Sequence, residues 1–429
     1  MKNILLKYGF ENIDLRLSEI PTKNIKILQQ ERKNKSRIIR DISTAIKNSL
    51  NAPIETPPLI SILNKLKPEL ITIVIPDITR VMPYYKEVLK ALINYIPHKY
   101  HKNIKFLIAT GTHRPHTTEE NIRLYGEELV KKFEFINHDC DNKKFLTFLG
   151  ETSLGNKIYL NKYVINAQLV ILTGTIDTHA FAGFSGGAKS LLPGVAGRDS
   201  ITYNHSFVVD SASYMGNLKN NKIYQDIMET YQLLKQKTKI FCINFIKDSE
   251  KNLIKILSGN LEKVFKKGIE ILEATSAVKI KKLSDLTIVS CGGYPRDINL
   301  YQAQKSLTCA SIVTKPEGVI ILVANCQEGI GQKIFADTLL TKDIDEILSL
   351  KQNEIEVEVH RAYLTAKILN NYKCILISSL NKKIVEKLKF IYAKNINLAI
   401  QKAKKYLKDT INLCYIIPDG STLLPIIRK

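Results

Sequence analysis

No apolar run in the chain of 429 residues reaches the roughly 18 residues that a membrane-crossing helix needs. The amino-terminal stretch MKNILLKYGFENIDLRL lacks the apolar core of a secretory signal and places acidic residues early. Both absences predict a cytoplasmic protein with no membrane partner. No pair of cysteines has CxxC spacing, and the seven, at 140, 242, 291, 309, 326, 374 and 414, are an odd number. Most sit in or beside apolar runs such as Phe241-Cys242-Ile243, so they read as small buried hydrophobes in a reducing compartment, not as disulfides or a thiolate metal site. No heptads or fixed-period repeats occur, which excludes a coiled coil or solenoid. The net charge of +22 comes without an Arg-rich stripe interleaved with aromatics and without a nucleic-acid motif. Lysines are scattered through a chain also rich in Ile and Asn, the pattern of a solvated basic surface. No nucleic-acid partner is expected, and the charge favours an anionic substrate only weakly.

What is present is an ordinary globular composition, 45% hydrophobic and 24% charged, long enough for two or three domains. Short apolar runs alternate with helical patterns, which predicts an α/β fold. Strands are expected at Leu70 to Ile75, Ile104 to Ala109, Leu169 to Leu172, Lys239 to Ile246, Leu286 to Ser290, Gly318 to Ala324, Lys373 to Ser378 and Leu413 to Ile417. Helices are expected around Arg37 to Leu50 and over Tyr84 to Ile96, where Val88, Leu92, Tyr95 and Ile96 recur at helical spacing. A Lys-rich segment over 262 to 282 reads as a helical connector at a domain boundary.

The chemistry concentrates between Thr173 and His205. After the Leu169 to Leu172 run come His179, then Ala182-Gly183-Phe184-Ser185-Gly186-Gly187, Lys189 and His205, with further glycines at 194 and 197. Glycine lets backbone N–H groups approach a ligand, and successive N–H groups make an anion nest. A lysine two residues beyond can reach a phosphate or bond covalently to a carbonyl-type carbon. The stretch reads as a cofactor or phosphate cradle flanked by two histidines.

Two further loops follow expected strands, where functional residues of α/β folds collect. Pro76-Asp77-Ile78-Thr79-Arg80 offers a carboxylate and a bidentate cation, though alone these are an ordinary cap and surface residue. Thr110-Gly111-Thr112-His113 places a histidine for proton transfer, and Thr117 or Thr118 then caps a helix. His116, His98, His101, His138 and His360 read as structural. Farther on, Gln302 and Lys305 are three apart and share one helix face. Two histidines can act as paired acid/bases on opposite faces of a stereocentre, and a third can ligate nickel or zinc. No metal shell of cysteines or carboxylates accompanies it, so a lone His ligand needs a cofactor to complete the coordination.

Asp77-Ile78-Thr79-Arg80, Gly111-Thr112-His113-Arg114-Pro115, the run from His179 to Ser190, Pro193-Gly194, Asn204-His205 and Tyr301-Gln302-Ala303-Gln304-Lys305 together resemble the nickel-dependent lactate racemase family. The matching motifs span about residues 70 to 330. The resemblance implies a nickel-pincer nucleotide, pyridinium-3,5-bisthiocarboxylic acid mononucleotide, borne by Lys189 through a thioamide bond, with His205 completing a square-planar nickel. It implies Ser185, Gly186 and Gly187 near the cofactor phosphate, Asp77 supporting the site, and His113 and His179 as the acid/bases. Arg80, Gln302 and Lys305 would hold the carboxylate and carbonyl of a small 2-hydroxy acid. The hydride would leave the α-carbon for the cofactor ring and return on either face. Partners would then include the cofactor-synthesis enzymes of the host.

The resemblance further implies two α/β domains with the active site in the cleft between them. These are expected at 1–272, rejoined by 408–429, and at 273–407. The alternatives are a P-loop-like nucleotide-binding hydrolase, which Ala188 and Pro193 disfavour, and a nickel-free two-base epimerase or binding protein.

Overall fold

The computed structural model describes residues 4–15, 20–29, 38–248 and 250–427. The chain divides into two units, one of Arg32–Thr275 and one of Met1–Glu31 with Ser276–Lys429. Arg37, at the start of the first expected helix, lies outside the described residues; the helix itself runs Ile42–Asn51, with Asp41 accepting from Thr44 N–H at 3.0 Å.

The Arg32–Thr275 unit is built on a six-stranded sheet. Its order is Leu253–Gly259, Lys239–Lys247, Leu169–Thr175, Ile71–Pro76, Ile104–Ala109 and Glu134–Asn137. All neighbours are parallel except the Leu253–Gly259 edge, which is antiparallel to Lys239–Lys247. The central strands Ile71–Pro76 and Leu169–Thr175 are buried along nearly their whole length because both faces are covered, as parallel sheets require. One face packs on Ile46, Leu50, Val88, Leu89 and Leu92 from the helices Ile42–Asn51 and Tyr85–Tyr95. In chain order the strands run 3-2-1-4-5-6 across the sheet. The order reverses between Ile71–Pro76 and Leu169–Thr175, and the carboxyl ends of those two strands form the crevice where such sheets bind ligands.

The second unit carries a six-stranded parallel sheet in the order Ile391–Tyr392, Lys373–Ile377, Thr314–Val323, Ser284–Ser290, Cys414–Ile417 and Ile25–Ile27. Here the expected domain division is corrected at both chain ends. Cys414–Ile417 pairs with Ser284–Ser290 on one side and with Ile25–Ile27 on the other, and Leu424–Ile427 pairs with Ala277–Ile280. Residues 408–429 therefore stay with the carboxyl-terminal sheet instead of returning to the first domain, and the amino-terminal segment joins them. Long-range hydrogen bonding, invisible to local pattern, decides this: Leu28 N–H also donates to the backbone oxygen of Ile416, and Gly9 N–H to the side-chain Oδ2 of Asp297 at 2.6 Å.

All seven cysteines are buried and unbridged, as their apolar neighbours predict. No helix among the described residues is long and apolar enough to cross a membrane.

Candidate active site

Three loops at the carboxyl edge of the first sheet carry the expected residues. After Ile71–Pro76 the chain makes a tight turn in which Arg80 N–H and Val81 N–H both donate to Asp77 O at 2.9 Å. The turn sends the Asp77 carboxylate inward, 1% exposed, and leaves Arg80 exposed. Asp77 Oδ2 accepts from His113 Nδ1 at 2.7 Å, and Thr79 Oγ1 donates to Asp77 Oδ1 at 2.9 Å. The carboxylate thus holds the His113 proton on Nδ1 and leaves Nε2 for exchange with a substrate. The His113 side chain is 48% exposed, open enough to meet one.

After Leu169–Thr175 a short hairpin pairs Asp177–His179 with Gly183–Ser185. Gly183 is obligatory there, because at φ +77° a side chain would be strained and its Cβ would lie 2.4 Å from Asn217 O. His179 is half-buried; Ala182 N–H donates to its Nδ1 at 3.3 Å, and its ring meets Phe181 edge-on at 4.6 Å. Phe181 in turn meets His205 at 5.2 Å, so one phenyl ring spaces the two histidines. His205 is 8% exposed, in the last turn of the helix Arg198–Ser206. Its neighbour Asn204 anchors that helix by donating to Asp226 Oδ2 at 2.9 Å and to Ile223 O at 3.1 Å.

Lys189 lies in a four-residue 3-10 turn, Gly187–Ser190. The residue as a whole is half-buried, but its Nζ is buried and has no hydrogen-bond partner among the described residues. Burial first, and then the charge of Arg80, bring its pKa down from 10.5 to about 7. The loop is tied to the His113 loop, for Gly194 N–H donates to Lys189 O at 3.1 Å and Gly111 N–H to Gly194 O at 3.0 Å.

The glycines before Lys189 answer to packing. Gly186 and Gly187 have φ of +92° and +54°, and a Cβ on either would meet Ile176 or Phe265 at 3.0 Å. Gly187 N–H is occupied, donating to Asn244 Oδ1 at 3.2 Å, and Ser185 Oγ donates to Thr175 O at 3.4 Å and Asp177 O at 3.3 Å. The anion nest expected from composition is therefore partly taken up by the protein itself. The P-loop alternative also fails here. The hairpin intervenes between strand and loop, and the glycines lead only into the four-residue turn Gly187–Ser190 where a phosphate loop opens a long helix.

Gln302 and Lys305 belong to the other unit, on the helix Leu300–Val313, which Asn299 caps by accepting from Gln302 N–H at 3.0 Å. They share a face as their spacing predicts, and Lys305 Nζ donates to Gln302 Oε1 at 3.2 Å. Among the described residues no group of three or more His, Cys, Asp and Glu side chains stands ready to hold a metal ion. Sequence reasoning set His116 aside as structural and passed over Asn137, Asn244 and Asp226; of these only Asn244, between Ile243 and Phe245, stood out as a polar residue in an apolar run.

Comparison with known proteins matches residues 8–216 to the lactate racemase N-terminal domain and 279–424 to the lactate racemase C-terminal domain. The chain is 31% identical over 433 residues to the lactate racemase of Thermoanaerobacterium thermosaccharolyticum, covering 99% of both. It is 33% identical over 325 residues to that of Lactiplantibacillus plantarum, covering 74% of this chain and 76% of the relative. The solved apoprotein of the first relative superposes with a TM-score of 0.88 over all of both chains. A Thermotoga maritima protein at 18% identity shares the fold, with a TM-score of 0.62 over 90% of this chain and 97% of its own. Fold and relatives define the class: an α/β enzyme, an isomerase of the racemase kind. The chain belongs to the lactate racemase family.

Proposed function

We propose that the protein inverts the α-carbon of a small 2-hydroxy acid, with lactate, for which its relatives are named, the first substrate to test. The observation that carries this reading is Lys189. A buried amine without a partner, drawn down to about 7 by burial and Arg80, is an unstable arrangement for a structural lysine. It suits an amine that ends as a neutral amide-type bond, because bond formation removes the charge that burial penalises. The residues therefore fit a nickel-pincer nucleotide attached at Lys189 with His205 as the imidazole ligand to nickel. When bound, such a group supplies an acceptor and donor for the α-carbon hydride.

The protein's own groups do the rest. Arg80 offers the substrate carboxylate a bidentate fork. His113, its Nδ1 held by Asp77, takes the hydroxyl proton at Nε2, and the carboxylate stabilises the imidazolium that forms. His179 is assigned to the opposite enantiomer. Its Nδ1 accepts from Ala182 N–H at 3.3 Å, which leaves the ring proton on Nε2; to take a substrate proton at Nε2 the ring gives up that long contact and carries its own proton on Nδ1 instead.

The test is intact mass and nickel content of the protein from its own host, with chiral analysis of lactate after incubation. Expected are added mass localised to Lys189, stoichiometric nickel and interconversion of the enantiomers. A Lys189 still bare after co-expression with cofactor-synthesis enzymes would overturn the cofactor reading. A loaded protein that leaves every 2-hydroxy acid tested unchanged would overturn the activity.

A further inference from the structure

We propose that His116 is a positioning residue that sets the Asp77–His113 pair through the backbone of Ile78; this rests on the reading of His113 as an acid/base. The His116 ring is buried, 7% exposed, and its Nε2 accepts from Ile78 N–H at 2.9 Å. A ring nitrogen that accepts carries no proton, so the neutral ring holds its proton on Nδ1. That atom faces Asn121 Oδ1 at 3.1 Å, an acceptor that matches it. The main chain is clamped as well: His116 N–H donates to Asn137 Oδ1 at 2.9 Å, and Asn137 Nδ2 donates to His116 O at 3.0 Å. Asn121 sits on the helix Thr118–Tyr125, whose start is fixed by a capping box between Thr117 and Glu120. The same helix ends in Tyr125, whose hydroxyl donates to Pro76 O at 2.8 Å, one residue before Asp77.

The loop after Ile104–Ala109 therefore grips the turn after Ile71–Pro76 by two rungs. One is His113 Nδ1 to Asp77 Oδ2, the other Ile78 N–H to His116 Nε2. Asp77 O takes both Arg80 N–H and Val81 N–H, so the turn moves as one piece, and the rung at Ile78 locates Asp77 and Arg80 together. Without it the Ile78 N–H loses its partner and the turn is free to shift against His113. A displacement of about 1 Å at such a pair costs on the order of 100-fold in rate.

Two substitutions separate positioning from packing. In His116→Gln the amide oxygen reaches the place of Nε2 and still accepts from Ile78 N–H. In His116→Asn the amide nitrogen takes the place of Nδ1 and still donates to Asn121, but the side chain is too short for Ile78. The full-length apoprotein, labelled with 15N-histidine, reports the tautomer of His113 through its ring nitrogen shifts. Wild type and His116→Gln are expected to show His113 protonated on Nδ1, and His116→Asn a mixture of tautomers. In the cofactor-loaded enzyme, kcat of His116→Asn falls roughly 10- to 100-fold, and His116→Gln stays within a few-fold of wild type. An undisturbed His113 spectrum in His116→Asn overturns the proposal, as does a His116→Gln protein as impaired as His116→Asn. If neither variant folds, Asn121→Ala, which removes only the acceptor at Nδ1, is expected to give the same mixture, and an unchanged spectrum overturns the proposal. A wild-type protein inactive on every 2-hydroxy acid but with His113 protonated on Nδ1 would sink the proposed function and leave the clamp standing.

Discussion

Lys189 makes the sharpest stability prediction, because a residue kept for chemistry should weaken the fold that holds it. The perturbation is Lys189→Met, which keeps the length of the side chain and removes the amine. In the unfolded chain the amine titrates at its ordinary 10.5, and in the folded apoprotein at about 7. The folded-state value is depressed, so between those limits the unfolded chain binds more protons and stability rises with pH. At pH 7 the linkage amounts to about 4 kcal/mol against the folded state, and relaxation and water entry leave roughly 2 of it. Lys189→Met should therefore be more stable than wild type by roughly 2–4 kcal/mol at pH 7, an increase in melting temperature of about 5–15 °C for a unit of this size. The gap should narrow as pH rises and close near 10.5. Calorimetry on both apoproteins at several pH values is the assay, since the chain has no Trp to report unfolding. A methionine variant no more stable than wild type at pH 7, or a gap that does not change with pH, would refute the reasoning.

His138 predicts the opposite limb of the pH profile. Its Nε2 donates to Ala196 O at 2.9 Å, its Nδ1 accepts from Asn161 Nδ2 at 3.2 Å, and burial lowers its pKa from 6.5 to about 4. The stability it contributes is full above 6.5 and lost as pH falls to 4, about 3 kcal/mol across that window. In denaturant titrations, His138→Gln, which keeps a donor toward Ala196 O, should flatten this slope, and an unchanged slope would count against the assignment. Asp77→Asn should lower kcat on the order of 100-fold or more with a smaller change in KM, because the amide still accepts from His113 but no longer stabilises its charged form; steady-state kinetics of the loaded enzyme checks this. Asp226, fully buried, accepts from Thr152 at 2.6 Å, Asn156 at 2.8 Å and Asn204 at 2.9 Å, and burial raises its pKa. Asp226→Ala should cost about 3 kcal/mol or more by stranding three donors, while Asp226→Asn costs much less, as thermal unfolding of the two variants would show.

Much of the site is local enough to be read along the chain. A strand end followed by a short polar motif places Asp77, His113 and His179 on one sheet edge without knowledge of any contact, because parallel strands all present their carboxyl ends together. Helical spacing likewise brings Gln302 and Lys305 onto one face. The strands Leu253–Gly259 and Glu134–Asn137 and the hairpin of Leu146–Glu151 with Lys157–Asn161 escaped, since each is short or carries a weak alternation that a flanking helix or turn masks.

Local order was thus determined by the sequence itself: strands from β-branched apolar runs, a helix cap at Thr117 or Thr118 from the acidic residues after it, and buried cysteines from apolar neighbours. Long-range pairing was decided only by tertiary structure. The place of Cys414–Ile417 beside Ile25–Ile27, the burial of the Lys189 amine within the field of Arg80, and the hydrogen bond from Ile78 to His116 join residues dozens to hundreds of positions apart. Composition told of glycines at 186 and 187, but only the fold showed that Ile176 and Phe265 press on them. The physical reason is the same in each case. Propensity and periodicity are properties of a short segment, whereas desolvation and hydrogen-bond satisfaction depend on which distant groups surround a side chain.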